Sequence, residues 1–191
     1  MSAPITVSYS LVNTLLGGGA ITGKSVSEIF AAGSIFIYGY PASETTPRPV
    51  PADANADVPL DGDNGFLLAK IDGETTGNLV FLAATNGVMN KGVETWDGTV
   101  NPAESGMNPG YAGDSGDLSD HPFKATFFRV VHSDTADQTV VDTSNDTGNP
   151  RIQGLITPQD SGAGVLSNTT LAQASNQIID QFRIALPLIA P

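Results

Sequence analysis

The run Ser34-Ile35-Phe36-Ile37-Tyr38 constrains this chain more than any other stretch, because as an extended strand it is apolar on both faces. Such a strand is stable only when covered on both sides, so it belongs in the core of a layered structure. The strongest strand pattern in the chain is Lys124 to His132, followed by Arg151 to Ile156. Phe66 to Ile71 and Leu79 to Ala84 read as strands separated by a turn at Asp72-Gly73, and Val93 to Val100 reads as a strand around Trp96. Near the C-terminal end, Phe182, Ile184 and Leu186 alternate with Gln181, Arg183 and Ala185, the period-two signature of a half-buried strand that Pro187 stops.

Helical signals are few. Ser25 and Glu28 have capping-box spacing, Val26, Ile29 and Phe30 share a face, and Gly33 can end a helix of about two turns. Residues Ile5 to Leu16 mix β-branched and polar positions before Gly17-Gly18-Gly19, which reads as an extended arm ending in a joint. With 21 Gly, 13 Pro and only 15% charged residues, the remainder suits short strands joined by turns. The expectation is an all-β fold of roughly eight to ten strands, a β-sandwich for which the jelly roll is one available form.

The 191 residues contain no repeated block, so one domain is expected at 24–191, preceded by the arm and glycine joint at 1–23. Three long loops interrupt it, at 40–64, 101–122 and 133–150. The first carries Pro41, Pro47, Pro49, Pro51 and Pro59 and reads as a surface excursion without ladder pairing.

Eight Lys+Arg against 20 Asp+Glu give a net charge of -12, which repels nucleic acid and anionic membranes at long range. The absence of cysteine excludes disulfides, thiolate metal sites and thiol catalysis. Met1 to Ser10 lacks a basic segment leading into an apolar run, and no apolar stretch approaches a membrane span, so a soluble product of the cytoplasm is expected. The sequons at Asn145 and Asn168 then read as polar turns.

Two stretches imitate enzyme motifs. Gly18-Gly19-Ala20-Ile21-Thr22-Gly23-Lys24-Ser25 has the spacing of a phosphate-binding loop, in which backbone amides and Lys hold phosphates and Ser holds magnesium. The helix that follows is short, no later strand offers an Asp for magnesium, and no βαβ alternation ensues, so Ser25 reads as a helix cap. Gly113-Asp114-Ser115-Gly116 echoes the nucleophile stretch of trypsin-like proteases, but His121 and His132 both lie downstream of it, against that family's order.

Metal signals are partial. Asp53, Asn55 and Asp57 have the one-three-five spacing of a calcium loop, with Val58 where Gly is needed and Asn64 where a bidentate Glu belongs. Asp114, Asp117, Asp120 and His121 could face a hard cation but read as a solvated acidic loop. Trp96, Phe123, Phe127, Phe128 and Phe182 are assigned to the core. No catalytic, cofactor or metal residue is therefore nominated.

The order of motifs carries more than any one of them. Leu15-Leu16-Gly17-Gly18-Gly19 leads to Glu28-Ile29-Phe30-Ala31-Ala32-Gly33 and Ile35-Phe36-Ile37-Tyr38, followed by Glu94-Thr95-Trp96-Asp97-Gly98-Thr99 and Ala125-Thr126-Phe127-Phe128-Arg129. Pro150-Arg151-Ile152-Gln153-Gly154, Leu166-Ser167-Asn168-Thr169-Thr170-Leu171 and Ile179-Asp180-Gln181-Phe182-Arg183-Ile184-Ala185-Leu186-Pro187 close the series. In this order the chain resembles a family of small structural proteins of tailed-bacteriophage particles. The resemblance implies a virion role without catalytic residues, foremost a decoration or cement protein on the head surface that bridges major capsid subunits and meets copies of itself as a dimer or trimer. A neck, tail or fibre component and a host-surface adhesin are the alternatives, and a nucleotide-binding enzyme using Lys24 and Ser25 is the remote one.

Overall fold

Strand β2 (Ser34–Pro41) is buried along its whole length, as its two apolar faces require. The computed structural model describes residues 5–19, 21, 23–42, 44–46, 49–58, 66–73, 79–82, 88–92, 95–99, 123–132, 141–143, 145–146, 148–157, 164–165, 170–171, 176–179 and 181–185. Before β2 come strand β1 (Thr6–Val7), helix α1 (Tyr9–Leu15) and helix α2 (Val26–Phe30). After it follow β3 (Phe66–Gly73), β4 (Val88–Asn90), β5 (Trp96–Thr99), β6 (Phe123–Val131) and β7 (Arg151–Thr157). Short strands β8 (Gly164–Val165), β9 (Thr170–Leu171), β10 (Asn176–Ile178) and β11 (Gln181–Ala185) complete the described elements.

Hydrogen bonding links the strands in the order β10-β5-β3-β2-β6-β7-β8-β11-β4, with β1 added to β7 and β9 to β6. Among the described residues every pairing is antiparallel except β7 with β8. The far parts of this path come together: Ile179 N extends the β10–β5 pairing to Trp96 O at 2.9 Å, and the ring of Trp96 in β5 lies 5.5 Å from that of Phe182 in β11. The strands thereby form two sheets that share a core.

That core takes Ile35 and Ile37 from β2, Leu68 and Ile71 from β3, Phe128 and Val130 from β6, and Ile152 from β7. Trp96 of β5, Met89 of β4, and Phe182 and Ile184 of β11 complete it, and Phe182 stands edge-on to Phe128 at 5.2 Å. Each large side chain buried in this way contributes about 1.5–3 kcal/mol.

Two bulges set the phase of the central strands. Tyr38 faces Phe127 while Gly39 faces Ala125, leaving Thr126 as the extra residue of β6, and its hydroxyl donates to Tyr38 O at 3.2 Å. Across β2, Ile37 faces Ala69 and Tyr38 faces Leu67, leaving Leu68 as the extra residue of β3. An inserted residue shifts the side-chain alternation by one. Phe123 and Ala125 accordingly share the main core with Phe128 and Val130, although strict period two would separate them. Gly39 sits at this crossing because a Cβ there would lie 2.0 Å from Lys124 O.

The opposite face carries Phe36, Tyr38, Phe127 and Val131, with Tyr38 and Phe127 stacked at 4.7 Å and 7°. Its cover is a chain segment, residues 49–58, which lays Val50 and Val58 on these rings.

Several expectations change here. Antiparallel strands dominate, but residues 9–15, expected within an extended arm, are helical, because side chains remote in sequence cap their first amides. Pairing continues past Tyr40 to Pro41, and residues 49–58 are no free excursion, since Ala54 is fully buried. Asp72-Gly73 does not turn the chain; it extends β3 and pairs with Asp97 and Trp96 of β5. Leu79 to Leu82 form no strand, only an isolated bridge between Phe81 and Lys91 with flanking hydrogen bonds. The loop 101–122, residues 83–84, residues 133–140 and Asn168 lie outside the described residues.

Candidate functional site

The register sets one row of side chains across the outer face of the central sheet: Lys70, Phe36, Arg129, Gln153 and Thr6. The adjoining row places Arg151 beside Val131 and Ser34. Two arginines therefore share this face, and both are buried, Arg129 to 0% exposure and Arg151 to 1%. A buried cation is tolerated only when its donors are satisfied.

The segment 51–58 supplies the acceptors from its backbone. Arg129 Nη2 donates to Ala56 O at 2.6 Å and to Asp53 O at 3.3 Å, and Arg151 Nη1 donates to the same Ala56 O at 3.4 Å. Arg129 Nε donates to Gln153 Oε1 at 3.0 Å, and Gln153 Nε2 donates to Pro51 O at 2.8 Å. Planar guanidinium forks suit several fixed carbonyls at once, which a lysine cannot match. Burial pushes the Arg129 guanidinium down to about 10, with Arg151 adding repulsion, while Tyr38, Asp53 and Asp57 favour the charge. It remains a cation at neutral pH. Burial likewise pushes the Tyr38 phenol up, out of the range of ordinary titration.

Asp53 shapes the segment, its Oδ1 accepting from Asn55 N at 2.8 Å and Ala56 N at 3.1 Å. This side-chain turn points the carbonyls of Asp53 and Ala56 at the arginines.

On its other side the same turn meets helix α1. Three side chains cap the first amides of the helix: Asn55 Oδ1 accepts from Tyr9 N at 2.7 Å, Asp142 Oδ2 from Ser10 N at 2.7 Å, and Ser8 Oγ from Leu11 N at 3.3 Å. Ser10 Oγ also donates to Asp142 Oδ1, Asp142 N donates to Asn55 O, and Ser8 Oγ accepts from Arg151 N. A carboxylate at a helix N-terminus is further favoured by the peptide dipoles. The result is a polar node that ties the N-terminal segment, the segment 51–58, Asp142 and the arginine-bearing core strands together.

The residues singled out from sequence take other places. Asp53 and Asn55 act as backbone caps, and no group of three or more acidic, histidine or cysteine residues suited to a metal occurs among the described residues. Ser25 caps α2, its hydroxyl held by Glu28, whose carboxylate also accepts from Ser25 N at 2.7 Å. The element before the phosphate-loop-like stretch is a helix, where a nucleotide fold places a strand. Gly113 to Gly116, Asp114, Asp117, Asp120 and His121 lie outside the described residues. His132 follows β6 half-buried, with Nδ1 lacking a partner among the described residues, and burial lowers its basicity. No helix among the described residues is long and apolar enough to cross a membrane.

Sequence reasoning did not single out Arg129, Arg151 and Gln153 as a cluster. Their signal was the placing of long polar side chains inside the two strongest core strands, where a polar residue must find a buried partner. Comparison of the chain with protein-family models, with curated proteins and with solved structures finds no match in any of the three.

Proposed function

We propose that this chain is a structural protein of a tailed-phage particle, a decoration protein that lies on the head surface and bridges major capsid subunits. The observation that carries this reading is the use made of the resembling motifs. Ala125 to Arg129 and Pro150 to Gly154 supply Arg129, Arg151 and Gln153, whose donors hold a surface-lying segment by its backbone. Ile35 to Tyr38, Trp96 and Phe182 supply the cores. Motif residues thus build a frame that fixes the course of a loop, which is what a protein working by contact requires. The net charge of -12 fits a surface turned away from packaged DNA.

Within this reading the two sheets form a β-sandwich of jelly-roll type, and the partners are the major capsid protein and further copies of the chain. The test is imaging of purified particles carrying a labelled copy of the protein. Label distributed over the head is expected. Label confined to the neck, tail or fibres would move the protein there, and unlabelled particles would remove it from the virion.

A further inference from the structure

We infer that residues 5–16 are an exchangeable latch, able to leave their own cradle and dock in the same cradle of a second copy of the chain. The inference stands on the node and the glycines beside it and is independent of any role in a particle.

The latch is held mainly by polar contacts, with few apolar ones. Its fully buried apolar residue is Leu11, with Ile5 and Val7 packed at the edge of the core. Its attachment also includes a two-residue strand, Thr6 on Gln153 and Val7 on Ile152, bonds from Ser8 N to Arg151 O and from Asn13 Nδ2 to Asp146 O, the Ser10–Asp142 pair, and capping bonds with Asn55, Asp142 and Arg151 N. All these partners lie on the body of the domain, and a second copy presents an identical set. Exchange therefore replaces each lost contact with the same contact, so the closed and exchanged forms differ mainly at the hinge and in the entropy of association.

The hinge is built for two courses. Residues 16–25 connect α1 to α2, and within them Gly17, Gly19 and Gly23 have φ of 98°, 78° and 83°. The closed form uses these three glycines at positive φ, and each also adopts extended angles without steric cost. Straightened, ten residues span about 33 Å, enough to reach a neighbouring domain.

The surface beside the hinge gives the second copy something to cover. Val12, Leu15 and Leu16 are exposed by 38%, 42% and 82% and lie on the last turn of α1 and its end. In a reciprocal exchange the two connections pass each other at this end of the helix, and these side chains meet across the crossing. A latch tethered in its own cradle works against an effective concentration of order mM, so exchange is favoured where copies are crowded.

Cysteine pairs decide this directly, because the chain contains no cysteine. Val7→Cys and Ile152→Cys are prepared as separate full-length proteins, mixed at high concentration, incubated and oxidised. A disulfide-linked heterodimer on non-reducing gels is expected, well above the homodimer bands of either variant alone. Absence of that excess overturns the proposal. Native mass spectrometry of a chain lacking Gly17 to Gly19 is the second measurement, since a shortened hinge disfavours the closed form. A shift from monomer to dimer is expected; an unshifted monomer overturns the proposal, and where this variant does not fold, the mixed-cysteine result alone decides.

Discussion

Arg129 on β6 and Gln153 on β7 stand directly opposite each other, and the 3.0 Å bond between them turns both toward the same chain segment, Arg129 to Ala56 O and Gln153 to Pro51 O. The pair converts two strands into a grip on the backbone of residues 51–56.

Removing one side of that grip strands buried carbonyls and the remaining donors. Arg129→Ala is expected to cost about 3–5 kcal/mol, the range for breaking a buried, hydrogen-bonded charge. Arg129→Lys is expected to recover little of it, because one ammonium cannot reach Gln153, Asp53 and Ala56 together. Urea denaturation followed by the emission of the single tryptophan, Trp96, which is fully buried, reads both values.

Asp142 is a helix cap supplied from 132 residues away. Asp142→Ala is expected to cost about 1–2 kcal/mol and to loosen α1 in particular. Hydrogen exchange should speed up at residues 9–15 while the amides of β2 and β6 stay protected. Uniform loss of protection across both would show that Asp142 supports the whole domain equally.

Two glycines should fail for different reasons. Gly39→Ala drives a Cβ into Lys124 O at 2.0 Å and Leu68 Cδ1 at 2.7 Å, and backbone must move; a loss of about 1–3 kcal/mol is expected, as for overpacking. Gly23→Ala meets no atom within 4 Å but keeps a φ of +83°, so about 1 kcal/mol is expected. Gly23→Asn should lose less, since Asn tolerates left-handed backbone, whereas no side chain rescues position 39. Thermal melts of the three variants separate the causes.

Stability should fall in two steps as pH is lowered. Burial depresses His132 below its usual 6.5, so the unfolded chain binds its proton first. The associated stability is present above pH 6.5 and is lost as pH falls through the folded value. Glu28, lowered by its bonds to Ser25, and Asp146, lowered by its bonds to Thr143, follow in the carboxylate range, below their usual 4.5 and 3.8. His132→Gln should flatten the upper step and leave the lower one. Denaturation midpoints from pH 8 down to about pH 2 check this, and an upper step that survives the substitution would assign it elsewhere.

What the sequence made legible was local. The apolar run at 34–38, the alternation at 181–185 and the Ser25–Glu28 cap each contain their own explanation within a few residues, and the structure places β2, β11 and α2 there. Helix α1 was illegible because two of its caps lie 46 and 132 residues away. Leu79 to Leu82 misled because Val80 and Leu82 are exposed apolar residues, 37% and 49%, which an alternation count treats as if they were core. The arginine node was hidden for a related reason: its acceptors are backbone carbonyls, and every residue carries one, so no residue type in segment 51–56 announces the partnership.

That same fact governs how the chain can change. A grip on carbonyl oxygens is indifferent to the identity of the side chain above each one. Ala52 is exposed, and Asn55, Ala56 and Asp57 are half-buried. Where a side chain neither caps the backbone nor faces the arginine charge, as at Ala52, its chemistry can drift while the path of the loop stays fixed. The fold thereby separates the shape of this surface from its lettering, and lineages of the protein can rewrite what the loop displays without rebuilding what holds it.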